Sequence, residues 1–253
     1  MNGYTPVFDR AEKAFNAAES PDVLFNSFRT QHEVYGFIDN GDRPPDEEAI
    51  AIARRINPVL YDAYLEANQG RKLIGYGNTI PVFGKYSNLD SRHVMMSVHL
   101  LSTIPEHPKV VVEIGGGFGN WLRLNTGLMH FSKWTIVDLP HVGKLQKWVL
   151  DKEVVDPAKY ELVEAGYRST WGPIDLVLGT HSMSEFSIET FIDYFYSIVV
   201  KSQYFYYAYH NTRPTPELIK AKRDIIENHF CLVNSMVSEG GNVTNCLYRR
   251  KAA

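Results

Sequence analysis

The sequence predicts a mostly parallel α/β sheet that ends in an antiparallel hairpin and follows a helical appendage. Three patterns predict it. Short apolar runs alternate with longer segments: VVVEIG at 110–115, WTIVDL at 134–139, YELVEA at 160–165, IDLVLGT at 174–180 and YFYYAYH at 204–210. Two more strand-like runs, FCLVNSMVS and VTNCLYRR, are joined by EGGN, the composition of a tight turn. The chain ahead of these runs has helical spacing instead.

In chain order, the helical pattern is clearest in PDEEAIAIARRINPVLYDAYLEANQG, which opens on Pro45 with acids suited to a first turn and stops at Gly70. Residues 73–92 are rich in Gly, Asn, Pro and Tyr, which is loop chemistry. A helix is predicted over 92–104. With 253 residues, the chain can bury one main core beside a smaller appendage. The expected division is 1–70 as appendage or lid and 71–253 as the main domain.

Composition narrows the function classes. The 26 Lys and Arg against 29 Asp and Glu give a net charge of -3, without a long basic run, which disfavours nucleic acid and anionic lipid as partners. No run of 18 apolar residues and no apolar signal core occur, so the expected location is the cytoplasm, away from membranes. Cys231 and Cys246 lack metal-site spacing and read as reduced core thiols. No Asp-Asp spacing suggests magnesium, and no metal is expected. The stripe Phe191, Tyr194, Phe195, Ile198 and Val199 reads as core packing.

The most informative segment is VVVEIGGGFGN. A β-branched strand runs into Glu113 and then into Gly115, Gly116, Gly117 and Gly119, where backbone can approach a ligand closely. A dinucleotide fingerprint would place a third small residue at 120, where Asn120 stands. The spacing is instead Gly-x-Gly-x-Gly with an acid two residues ahead, the pattern of S-adenosylmethionine sites. That cofactor brings an amino-acid end and a sulfonium rather than a pyrophosphate. Glu113 is expected to order the loop and face the cationic end, with Gly115, Gly117, Gly119 and Asn120 beside it. Asp138, ending the next strand, suits the two ribose hydroxyls, Leu139 the adenine, and Ala165 an adenine contact after the third strand.

Beyond this pattern, EIGGGFGNW, TIVDLPHVGKLQKWVL, DLVLGTHSMSEFSIETFIDYFYSIV and YYAYHN resemble the sugar O-methyltransferase family of Rossmann-like class I methyltransferases. The resemblance covers roughly residues 75–212. It implies S-adenosylmethionine as methyl donor and a hydroxyl of a glycan or nucleotide-activated sugar as acceptor. One departure is plain: where the family has an Asn-x-Asn-Ser run, this chain reads Gly179, Thr180, His181, Ser182.

Ligands of open α/β sheets lie beyond the carboxyl ends of the strands, so THSMSEF is expected at the reaction centre. Methyl transfer needs alignment of the acceptor oxygen and a base for its proton. His181 is the first candidate base, since an unperturbed imidazole titrates at about 6.5, and it is also expected to line the cofactor. Glu185 is the second, as base or as the group orienting His181. Ser182, His210 and Asn211 are candidate acceptor contacts, as are Tyr76, Asn78 and Arg92 of the loop segment, where tyrosines can stack on sugar faces and Arg can grip a phosphate. Three alternatives stay open: a small phosphorylated, phosphoramidate or natural-product acceptor; an NAD(P)-dependent oxidoreductase; and a binding protein without catalysis. The aromatic appendage can support a homodimer.

Overall fold

A computed structural model describes residues 45–69, 88–166, 171–211 and 215–252, together with Lys13. Among the described residues, seven strands join one sheet in the order β3-β2-β1-β4-β5-β7-β6. These are β1 (Val110–Ile114), β2 (Lys133–Asp138), β3 (Tyr160–Glu164), β4 (Ile174–Thr180), β5 (Ser202–His210), β6 (Phe230–Ser238) and β7 (Val243–Arg250). The first five run parallel. The last strand lies antiparallel between β5 and β6. The mixed α/β class and its terminal hairpin are therefore as the sequence predicts.

The chain divides into two compact units. The sheet unit contains every strand, with a single helical turn α6 (Ser182–Glu185) and the helices α7 (Ile188–Ser197) and α8 (Pro216–His229). Its core gathers Val112, Ile114, Val177, Phe205 and Tyr207 from the strands with Phe191, Phe195, Ile219 and Ile226 from α7 and α8. Phe191 and Phe195 stack at 5.7 Å, and the stripe that includes Tyr194, Ile198 and Val199 is buried throughout, as expected. Ser187 starts α7 by accepting from the Thr190 amide, and Thr215 starts α8 by accepting from Leu218.

The helical unit holds α1 (Glu47–Ile56), α2 (Pro58–Ala67), most of α3 (Asn88–Leu101), α4 (Asn120–Asn125) and α5 (Pro140–Lys152). The continuous helical pattern read over 45–70 is broken at Asn57, which is extended at φ -158° and ψ 92°. Pro58 has no amide to continue α1, so it opens a new helix at a position where none is needed. The Asn57 side chain caps that start by accepting from Leu60. The third helix begins four residues before the predicted 92 and ends at Leu101. Thr103 Oγ1 there bonds back to the His99 carbonyl, ahead of Pro105.

One expectation fails. Cys246 is buried, but Cys231 is exposed. It lies on β6, the sheet's last strand, most of whose residues face outward, so residue type alone misjudged its burial. No helix among the described residues is long and apolar enough to cross a membrane.

Candidate functional site

Strand order reverses between β1 and β4, which are neighbours in the sheet although two strands separate them in sequence. In open α/β sheets, ligands bind at this point, beyond the carboxyl ends. Within the sheet unit those ends carry Glu113 near the end of β1 and Gly115 after it, Asp138 at the end of β2, Ala165 after β3, His181 and Ser182 after β4, and His210 at the end of β5.

The glycine spacing has a backbone cause. Gly115, Gly117 and Gly119 have φ of 73°, 56° and 83°, so every second residue of the loop sits in the left-handed region that side chains disfavour. Gly115 has a further reason: a Cβ there would overlap Cβ of Ser182. At Gly116 a Cβ would come within 2.6 Å of Ile136 and 3.1 Å of the Glu113 carboxyl carbon.

Glu113 is only 3 % exposed, and its Oε2 accepts from the Trp134 indole at 3.0 Å. Burial pushes its carboxyl up to about 8; the indole hydrogen bond pulls it partway back and the charge of Asp138 adds to the rise. Burial thus favours its protonated form. Asp138 is half-buried, and its backbone carbonyl accepts from Ala165 at 2.7 Å, which ties the ends of β2 and β3 together.

The corner after β4 puts a non-glycine residue in the positive-φ half of backbone space. His181 adopts φ 56° and ψ -54°, close to a strained γ-turn geometry. Its amide donates to the Ala208 carbonyl at 3.0 Å, and its own carbonyl accepts from Ser184 Oγ at 2.6 Å and from the Glu185 amide at 3.1 Å. Ser182 Oγ donates to the Ile114 carbonyl, fastening the corner to β1. The hydroxyl read as an acceptor contact thus has a structural partner. His181 and His210 face each other with ring centroids 4.9 Å apart. Glu185 is half-buried on the same turn.

The other sequence-selected residues fall in several places. Asn211 Nδ2 donates to the Gly241 carbonyl while its Oδ1 accepts from Thr244, so it pins the hairpin turn. In the helical unit, Asn120 Oδ1 accepts twice from Arg123 and its Nδ2 lies 3.0 Å from His93 Nδ1. Arg92 pairs with Asp46 at 2.8 Å. Leu139 is the half-buried residue preceding α5. Gln146 Nε2 donates to the Gly117 carbonyl at 2.8 Å. Tyr76 and Asn78 lie outside the described residues. No group of three His, Cys, Asp or Glu that could hold a metal ion occurs among the described residues.

Sequence reasoning missed Lys222. The lysine is completely buried, and Nζ donates to the carbonyls of Met183 at 3.2 Å, Ser184 at 2.7 Å and Phe186 at 2.6 Å. The available signal was its place between Ile219 and Ile226 on the apolar stripe of α8.

No protein-family model matches the chain, and no curated protein matches it in sequence. Solved structures do match. The PH0226 protein of Pyrococcus horikoshii aligns with a TM-score of 0.53 at 11% identity, over 65% of this chain and 92% of that one. An O-methyltransferase family protein of Burkholderia thailandensis gives 0.49 at 13% identity, over 65% and 60% of the two chains. An rRNA methylase of Streptococcus thermophilus gives 0.48 at 14%, over 64% and 98%. At these identities the likeness is one of fold. The chain has a Rossmann-like α/β fold, mostly parallel with an antiparallel C-terminal hairpin.

Proposed function

We propose that this protein is an S-adenosylmethionine-dependent O-methyltransferase whose acceptor is a hydroxyl of a sugar, free in a glycan or activated as a nucleotide sugar. The observation that carries the reading is the row of groups at the carboxyl ends of β1, β2 and β4. Glu113 is a buried carboxyl that keeps its proton up to about 8, Asp138 ends the adjacent strand, and the His181–His210 pair stands after β4 and β5. Such a donor set fits a cofactor with a cationic amino-acid end and a ribose. The sugar class rests on the sequence resemblance.

Bound S-adenosylmethionine supplies a methyl carbon already activated by its sulfonium. The protein's residues supply the rest. Asp138 would accept from the ribose hydroxyls. With the cofactor's cationic end bound, Glu113 would lose its proton to solvent and remain as a carboxylate behind the glycine loop, to which Gly115, Gly117, Gly119 and Asn120 would contribute backbone. Leu139 and Ala165 are each proposed as adenine contacts. His181 takes the proton from the acceptor hydroxyl, His210 beside it helps to orient the acceptor, and Glu185 steadies the imidazole. Tyr76, Asn78 and Arg92 are proposed to meet the sugar and its phosphate. The net charge of -3 favours a small acceptor over a polynucleotide.

The test is calorimetric titration with S-adenosylhomocysteine, then incubation of labelled methyl donor with nucleotide sugars, glycans and small phosphorylated acceptors. Label on a sugar is the expected result. Asp138→Ala should weaken cofactor binding about 10- to 100-fold, because hydrogen bonds to a charged group contribute ~1.5–3 kcal/mol. Wild-type protein that binds NADH and not S-adenosylhomocysteine overturns the cofactor assignment. Label confined to small phosphorylated acceptors overturns the sugar class alone. Should His181→Ala and Glu185→Gln both keep the wild-type single-turnover rate, the assignment of the base is wrong.

A further inference from the structure

We infer that Lys222 is a positioning residue that holds the His181–Glu185 corner in its working conformation from the far side of the chain. The inference rests on the reading of that corner as the reaction centre.

The first argument is energetic. Lys222 occupies a core position of α8, between Ile219 and Ile226, and is 0 % exposed. Burying an ammonium costs several kcal/mol even after relaxation, and an apolar residue of similar size in such a place is often neutral or stabilising. Packing alone therefore gives no reason for a lysine. Its hydrogen bonds do give one: all three go to carbonyls of one short stretch, Met183, Ser184 and Phe186.

The second argument concerns what those carbonyls belong to. The turn α6 has four residues. A helix that short does not sustain itself, and its last carbonyls have no partners within it. It must also keep His181 at φ 56° and ψ -54°, in the left-handed half of backbone space, which costs about 1–3 kcal/mol and persists only where the surroundings over-determine it. Three of the ties that do so are visible on the β1 and β5 side and within the turn: Ser182 to Ile114, His181 to Ala208, and Ser184 to His181. Lys222 supplies the opposing tie at the far end of the turn. Without it, the corner can relax toward an unstrained backbone, carrying the imidazole away from His210. The lysine also lies over the Phe191 ring at 5.5 Å, which fixes its direction.

The experiment compares Lys222→Met, which keeps length and removes every donor, with Lys222→Arg, which keeps donors. Histidine-selective NMR of the full chain, with the His181 ring signal assigned by His181→Gln, reads the corner directly. S-adenosylhomocysteine affinity and transfer of labelled methyl to nucleotide sugars are measured in parallel. In Lys222→Met the His181 signal should shift or broaden, turnover should fall about 10- to 100-fold as expected for misplacement near 1 Å, and affinity for S-adenosylhomocysteine should stay within about threefold. Lys222→Arg should restore the His181 signal toward its wild-type position. A wild-type His181 signal in folded Lys222→Met overturns the inference. So does an equal disturbance in both variants, and the arginine variant decides alone if the methionine variant fails to fold. Failure of wild-type protein to bind S-adenosylhomocysteine would instead sink the proposed activity, while the NMR comparison would still judge Lys222.

Discussion

Among the described residues, the buried Lys or Arg of the helical unit is Arg123 and that of the sheet unit is Lys222. Arg123 is 1 % exposed and meets carboxylates: Asp90 at 2.7 Å and Glu153 at 3.6 Å, with Asn120 Oδ1 accepting from Nε and Nη2. Lys222 meets only carbonyl dipoles at hydrogen-bond distance, and the charge of Glu185 acts on it as a weaker influence. The first arrangement neutralises its charge on the spot, whereas the second leaves a charge solvated by backbone. A planar guanidinium gripped by two carboxylates and the Asn120 amide oxygen makes the Arg123 cluster a fixed post. Burial pulls the Lys222 ammonium down to about 8, so the tie it makes depends on pH.

The largest effect that would sharpen this contrast is at Arg123. Arg123→Met leaves the Asp90 and Glu153 carboxylates buried without their cation, and breaking a buried pair in this way costs about 3–5 kcal/mol. Chemical denaturation near pH 7 measures it. A loss below ~1 kcal/mol would mean that the cluster is not the electrostatic post described. Lys222→Met at the same pH should cost less, since only neutral carbonyls lose a partner.

Next in size is Gly115→Ala, which attacks the corner from the β1 side. The new methyl would overlap Ser182 Cβ at a residue with φ of 73°. Left-handed backbone costs an alanine about 1–2 kcal/mol and overpacking a further ~1–3 kcal/mol. Adding Ser182→Gly should recover the packing part and not the backbone part. If the double variant is no more stable than Gly115→Ala, the close approach of Ser182 is not what demands glycine at 115.

How far these features could be read in advance follows from how local their causes are. The Gly-x-Gly-x-Gly spacing was legible because each alternate left-handed residue needs glycine at its own position. The stripe Phe191, Tyr194, Phe195 was legible because helical period alone reports a buried face. The strand ends, and with them Asp138, followed from apolar runs of the right length. Lys222 was legible only as a cation on a buried stripe of its helix; its acceptors lie 36 to 39 residues earlier and are carbonyls, which leave no trace in residue type. Ser182 was read as an acceptor contact for the same reason, since nothing in the sequence reveals that its hydroxyl meets the Ile114 carbonyl. Arg123 and Asp90 are 33 residues apart, and only folding brings them to 2.7 Å. Cys231 was misjudged because strand order, which makes β6 an edge, is not a property of the strand itself.

The smallest effect, and the sharpest test of the contrast, is the pH dependence of stability. The Lys222 ammonium has a folded value of about 8 against 10.5 for an ordinary lysine. Between those values the unfolded chain holds more protons, so stability attributable to Lys222 rises with pH from about 8 to 10.5, by on the order of 3 kcal/mol. Glu113 has the opposite sense: its folded value near 8 exceeds the ordinary 4.5, the folded state holds the extra proton, and its contribution falls as pH climbs through that window. The two windows meet near pH 8. Unfolding free energies from urea titrations at pH 5 to 11, taken as wild type minus variant, separate them from other titrating groups, which cancel in the difference. The Lys222→Met difference should climb only above pH 8, and the Glu113→Gln difference should decline only below it. A Lys222→Met difference that stays flat from pH 7 to 11 would mean the carbonyls hold the ammonium as firmly as carboxylates hold Arg123, and the two buried cations would then be solutions of equal kind.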